Sequence, residues 1–112
     1  LHMTVFSRQK DQEIPKNQYT KWFDYDKIKG TLSLRHRQPG DYLTLPSGGR
    51  KTLKSWMIDE KIPRQEREEI WLLAEEKHIL WIVGHRISAY YKITEQTKTI
   101  LEVEFNGGKS SG

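Results

Sequence analysis

No apolar run in this 112-residue chain is longer than five residues, and that limit bounds what the chain can build. Ile79 to Val83 reaches that length, as does Ile70 to Ala74, and breakers divide the rest at Pro39-Gly40, Pro46-Ser47-Gly48-Gly49, Ile62-Pro63 and Gly84. A helix that crosses a membrane needs about 20 apolar residues, so none is encoded. Short strands and short helices joined by tight turns are what remain.

The local patterns order those pieces. Tyr19 to Tyr25 is aromatic-rich and suits a strand, with a turn over Asp24 to Lys29. Thr31 to Arg35 alternates, with Leu32 and Leu34 toward the core and Arg35 toward solvent. At Pro39-Gly40 the proline presets the first corner of a turn and the glycine supplies positive φ at the second. Asp41 to Leu45 then resumes as a strand. Leu53, Trp56 and Met57 stand at i, i+3 and i+4, the stripe of a helix from about Lys51 to Asp59. Ile62-Pro63 ends that helix, because a residue before proline avoids the helical region. Proline suits a first helical turn, so Pro63 to Glu69 is the second helix.

Trp71 to Ala74 and Ile79 to Val83 stand at a hairpin-like spacing, and the latter lacks alternation, as a central strand buried on both faces does. Tyr90 to Ile93 and Thr99 to Phe105 complete the strands, the last with Leu101, Val103 and Phe105 inward. Strands, two short helices and strands again predict a small single α+β domain. Its sheet is mixed or antiparallel, and its two short helices gather on one side. Residues 1–18 read as an expression remnant (Leu1-His2-Met3) and a linker with room for a short extended piece. Residues 19–105 read as the domain, and 106–112 as a disordered Gly/Ser/Lys tail.

Charge is distributed unevenly. Thr31 to Arg67 holds eight Lys/Arg against four Asp/Glu, a net of +4, while Glu68 to Phe105 holds four against seven, a net of −3. Such polarity suits a surface that attracts an anion, although solvated decoration of a small basic domain explains it equally well. Arg50, Lys51 and Lys54 fall at the expected start of the first helix, and Arg64 and Arg67 in the first turns of the second. Cations are disfavoured there by roughly 0.3–1 kcal/mol each unless an anion binds too.

Signals of chemistry do not survive inspection. Zero cysteines exclude a disulfide framework, a thiolate zinc site and a cysteine nucleophile. Ser47-Gly48-Gly49-Arg50-Lys51-Thr52 shares pieces of two nucleotide loops. The pyrophosphatase-type ATP loop needs Asp and Ser where Lys51 and Thr52 stand, and a Walker loop needs glycines at Leu45 and Arg50. His2, His36, His78 and His85 have no metal-ligand spacing. Asp59-Glu60 and Glu68-Glu69 read as solvated helix faces. Of the tryptophans, Trp22, Trp56 and Trp81 sit in core patterns, and Trp71 is the least determined, with the pair Tyr90-Tyr91.

Four segments in order carry a resemblance: Arg35-x-Arg37-x-Pro39-Gly40-Asp41, then Gly49-x-Lys51-x-Leu53-Lys54, then Ile58-Asp59-x-Lys61-Ile62-Pro63-Arg64-x-x-Arg67, then Ile79-x-Trp81-x-x-Gly84-x-Arg86-Ile87. Over about Trp22 to Phe105 they resemble the C-terminal domain of bacterial tRNA(Ile)-lysidine synthetase. Thr52, Ser55 and Ala89-Tyr90 depart from the family pattern. The resemblance implies a cytoplasmic, ATP-dependent ligase of tRNA modification. Its N-terminal ATP-loop domain uses ATP and lysine to make lysidine in the isoleucine tRNA with a CAU anticodon. The 112 residues contain none of that catalytic domain, so the piece alone is expected to be inactive, without a cofactor, metal or membrane.

The implied role is to hold the tRNA, in the first instance its acceptor stem, through Arg35, His36, Arg37, Arg50, Lys51, Lys54, Arg64 and Arg86. Arg35 and Arg37 flank the tight turn with His36 between them. Arg86 either reaches the same face or pairs with Asp41. For the arginines near Asp41 and Asp59, a structural salt bridge competes with RNA contact. The other partners are the rest of the synthetase and, in the competing reading of a protein-docking or dimerisation module, a second copy of the chain.

Overall fold

The computed structural model describes residues 1–106, so from residue 107 on the expected tail lies outside the described residues. In chain order the strands and helices are β1 (His2–Ser7), β2 (Thr20–Asp24), β3 (Leu32–Arg35), β4 (Tyr42–Thr44), β5 (Arg50–Thr52), α1 (Leu53–Asp59), α2 (Arg64–Arg67), β6 (Leu72–Glu75), β7 (His78–Ile82), β8 (Arg86–Ile87) and β9 (Thr99–Glu104). Turns of 3₁₀ helix lie at Tyr25–Lys27 and Ala89–Tyr91. No helix is long and apolar enough to cross a membrane among the described residues. The α+β class and the two short helices match the expectation. The chain packs as two compact units, one of residues 1–28 with the described residues from 91 on, the other of residues 29–90.

In the first unit β9 is central to an antiparallel sheet of order β1-β9-β2. Its inward residues Leu101, Val103 and Phe105 are buried as the alternation predicted. Trp22 of β2 is buried too. Its indole Nε1–H donates to Glu102 Oε1 at 2.8 Å, and its ring meets Phe6 of β1 edge-on at 5.3 Å.

The linker reading is corrected over His2–Ser7, which pairs with β9 from His2 opposite Glu104 to Ser7 opposite Thr99. The free N–H and C=O groups along that side of β9 need partners, and β1 supplies them. An edge strand whose side chains are mostly exposed has no buried face, hence no period to read in the sequence.

The second unit is built on a six-stranded sheet of order β3-β6-β7-β4-β5, with β8 added to β7. It is mixed, because β4 meets β7 in parallel with Tyr42 opposite His78. Ile79 to Ile82 are essentially fully buried, as a strand without alternation should be. Leu53, Trp56 and Met57 of α1 pack on Leu43, Leu72, Ala74, Ile79 and Ile82, and Ile62 joins this core between the helices.

Three local expectations are corrected here. Arg50–Thr52 is strand, not helix. Leu45 N–H donates to Gly49 carbonyl and Gly48 N–H to Leu45 carbonyl, both at 2.8 Å, which closes a β4–β5 hairpin before the helix can begin. Thr52 then caps α1, its Oγ1 accepting from Ser55 N–H at 3.1 Å. Arg35 does not face solvent but turns onto Asp41. Tyr90 to Ile93 is not a strand. Ser88 N–H donates to Leu80 carbonyl at 2.8 Å and its Oγ accepts from Thr44 N–H at 3.0 Å, ending the sheet there. Exposed Tyr90 beside buried Tyr91 satisfies a 3₁₀ turn as well as a strand, so the sequence did not separate them.

Candidate functional site

A cleft of about 570 Å³ opens where the β3–β4 turn faces the start of α1. Arg37 to Asp41 form one wall, Thr52 to Lys54 the other, and Glu68 stands beside them. The turn has a fixed shape: Gly40 takes φ +89°, and buried Asp41 accepts from Gln38 N–H at 2.8 Å through Oδ2. Leu53 N–H donates to Asp41 carbonyl at 2.8 Å, tying the two walls together.

The eight candidate residues divide into four kinds. Arg35 is structural. Its guanidinium grips Asp41 with two bonds of 2.9 Å and also donates to the carbonyls of His36 and Glu76. The Arg35 and Asp41 side chains are only 16% and 1% exposed, so this is a largely buried fork with both terminal nitrogens engaged. Of the two roles expected for Arg35, the salt bridge is the one the fold uses: two of its four bonds go to Asp41 and the other two to backbone carbonyls. Because Asp41 is occupied, the pairing of Arg86 with Asp41 does not form, and Arg86 lies exposed on β8.

Arg37 and Lys51 are exchangeable cations. Arg37 donates to Glu68 Oε2 through Nε at 2.8 Å, and Lys51 pairs with Asp59. Glu68 is 63% and Asp59 57% exposed on their side chains, and such pairs contribute about 0–1 kcal/mol. A phosphate can replace either carboxylate at little cost. Lys54, Arg64 and Arg86 are exposed and make no ion pair among the described residues.

Arg50 and His36 engage rings. The Arg50 guanidinium lies 4.4 Å from the Tyr42 ring centre, Tyr42 stacks on His78 at 4.6 Å, and His78 meets Tyr90 at 5.2 Å. His78 Nε2 sits 3.0 Å from Thr44 Oγ1, and its pKa is held below the usual 6.5 by burial first and by the Arg50 charge second, with Glu75 opposing. His36 stacks on Trp71 at 4.0 Å. The fold therefore gathers Arg37 and Lys54 at one cleft. It does not line up Arg50, Lys51 and Lys54 on one helix start. Two of the first-turn N–H groups of this seven-residue helix, those of Leu53 and Ser55, are already bonded, so an anion has little to gain there.

The model of the family described as the TilS substrate C-terminal domain matches residues 32–104, which span the cleft and every candidate residue. The chain belongs to this family. It is 46% identical over 94 residues to the tRNA(Ile)-lysidine synthase of Caldanaerobacter subterraneus subsp. tengcongensis, covering 83% of this chain and 20% of that protein. Against the tRNA(Ile)-lysidine synthase of Clostridium tetani it is 41% identical over 97 residues, covering 86% and 21%. The chain thus spans about a fifth of the length of the curated relatives it matches. A solved structure titled as the crystal structure of the TilS C-terminal domain superposes with a TM-score of 0.62 at 29% identity, covering 90% of this chain and 82% of that one.

Two features of this family member escaped the sequence reading, the stacked column Tyr42–His78–Tyr90 and the pair His36–Trp71. The second had a signal. Continuing the β3–β6 register past Arg35 opposite Leu72 sets His36 opposite Trp71.

Proposed function

We propose that this chain is the tRNA-holding C-terminal part of a tRNA(Ile)-lysidine synthase, with residues 19–105 as the binding region. In this reading a catalytic N-terminal ATP-loop domain joins lysine to the anticodon-loop cytidine of the isoleucine tRNA bearing CAU, using ATP, in the cytoplasm. The chain itself holds no catalytic group and steadies the RNA, in the first instance its acceptor stem.

The observation that carries the reading is the cleft, with Arg37 and Lys54 on facing walls and a rigid turn between them. Cations at rigid turns suit an A-form stem, which proteins read through backbone, 2′-hydroxyls and shape. Arg37, Lys54, Arg64 and Arg86 are the phosphate contacts. Lys51 joins them once Asp59 releases it, Arg35 supports the turn through Asp41, and His36 stacks on Trp71.

The test is a titration of the chain with the isoleucine tRNA bearing CAU, the elongator methionine tRNA with the same anticodon, and a hairpin of the former's acceptor stem. The double variant Arg37→Glu with Lys54→Glu is expected to lose affinity at least tenfold while keeping its thermal midpoint. Unchanged affinity at matched salt sinks the reading in favour of protein docking. Reversing Arg35 as well would be uninformative, because that variant loses a buried ion pair.

A further inference from the structure

Among the large side chains of the second unit, Trp71 stands out because it is 39% exposed, where Trp56 and Trp81 of the same unit are buried. It is not loose. Its carbonyl accepts from Val83 N–H at 3.0 Å, and one face of its indole is covered by the His36 ring, 29° from parallel. His36 is held in turn, with Nδ1 3.2 Å from the Ile70 carbonyl, the geometry of an Nδ1–H donating to that oxygen. The exposed indole is therefore backed by a second ring that is itself held, and its backbone is tied to Val83. Burying that indole elsewhere would have been cheaper in water, since a large aromatic gains most from leaving it.

The next residue after His36 is Arg37, whose side chain reaches Glu68 at the cleft and comes within 3.9 Å of the buried Met57 Sδ. Consecutive residues thus present a stacking surface and a phosphate-binding cation. We propose that Trp71, backed by His36, is a stacking platform for an unpaired nucleobase of RNA whose backbone is held at the Arg37–Lys54 cleft. This rests on the RNA-binding reading and adds a requirement to it. The bound RNA must carry a single-stranded nucleotide beside the stem, because a paired base offers its face only to its neighbours in the stack. Base-on-aromatic stacking is indifferent to base identity and changes affinity by roughly five- to a hundred-fold when the aromatic is removed.

The experiment uses two probes, a blunt RNA hairpin and the same stem extended by a short single strand containing 2-aminopurine, whose fluorescence falls when it stacks. The wild-type chain should bind the extended RNA more tightly and quench the probe. Trp71→Leu should lose the quench and that advantage while binding the blunt hairpin normally, and Trp71→Phe should keep most of both. His36→Ala should weaken the quench, which keeps the test decisive if Trp71→Leu does not fold. An unchanged quench in Trp71→Leu and His36→Ala overturns the platform and leaves hairpin binding standing. Binding of neither probe at low salt overturns the RNA reading and the platform with it. Loss of self-association in Trp71→Leu with RNA binding unaltered overturns the platform in favour of a contact between copies.

Discussion

At the scale of single residues, two arginines two positions apart do different work. Arg35 and Asp41 are nearly sealed, and removing one partner of such a pair leaves the other uncompensated. Asp41→Asn is expected to destabilise the chain by roughly 3–5 kcal/mol in chemical denaturation. Glu68→Gln should shift stability by no more than about 0.5 kcal/mol, because the Glu68 side chain is largely solvated. The same change releases Arg37 and should tighten RNA binding a few-fold in a fluorescence titration. Weaker binding would mean instead that Glu68 positions the guanidinium. His78 adds a pH dependence. Its folded pKa lies below 6.5, so as pH falls the unfolded chain takes up the proton first. The contribution of the neutral imidazole is complete above about pH 6.5 and is lost as pH drops toward the lowered folded value. Denaturation midpoints at pH 7.5 and 5.5 should differ less in His78→Gln than in the wild type. An equal difference in both would remove His78 from the account.

At the scale of elements, most short pieces were legible because each carries its own local signal. The i, i+3, i+4 stripe of Leu53, Trp56 and Met57 is the buried face of α1, and Ile79 to Ile82 is the buried centre of the sheet. The failures came where the signal is not local. Thr52 reads equally as helix start or strand end, and the hairpin closed by Pro46 to Gly49 decides between them. That turn offers a contrast. Gly48 takes φ +95° and Gly49 does not, while the space around Gly48 is open and a Cβ at Gly49 would meet only the Ser47 hydroxyl at an ordinary 3.7 Å. Gly48→Ala is therefore expected to destabilise by roughly 1–2 kcal/mol through backbone strain alone. Gly49→Ala should be nearly silent. Equal melting shifts for the two would show that φ is not the cause.

At the scale of the whole molecule, the polarity of the chain is partly folded away. The basic stretch and the acidic stretch both lie largely within residues 29–90, where Arg37 meets Glu68, and Glu75 Oε2 accepts from the N–H groups of Lys29 and Gly30. What remains outward is a set of separate cations, so binding should behave as a count of phosphates. Each contact contributes about 0.7–0.9 to the slope of log affinity against log salt. Arg37→Ala and Lys54→Ala should each flatten the slope by about that amount, and Arg50→Ala, which lies over a tyrosine away from the cleft, should not. A slope unaltered by Lys54→Ala removes that lysine from the contact. The sequence alone determined the small alphabet of short elements, the turn glycines, the apolar stripes and the family, because periodicity, breakers and motif spacing are written along the chain. Only the tertiary structure decided which cations are already taken, since an ion pair depends on where two segments meet. Arg35 to Asp41, Arg37 to Glu68 and Lys51 to Asp59 are set by strand register and side-chain reach, and no count of charges contains either.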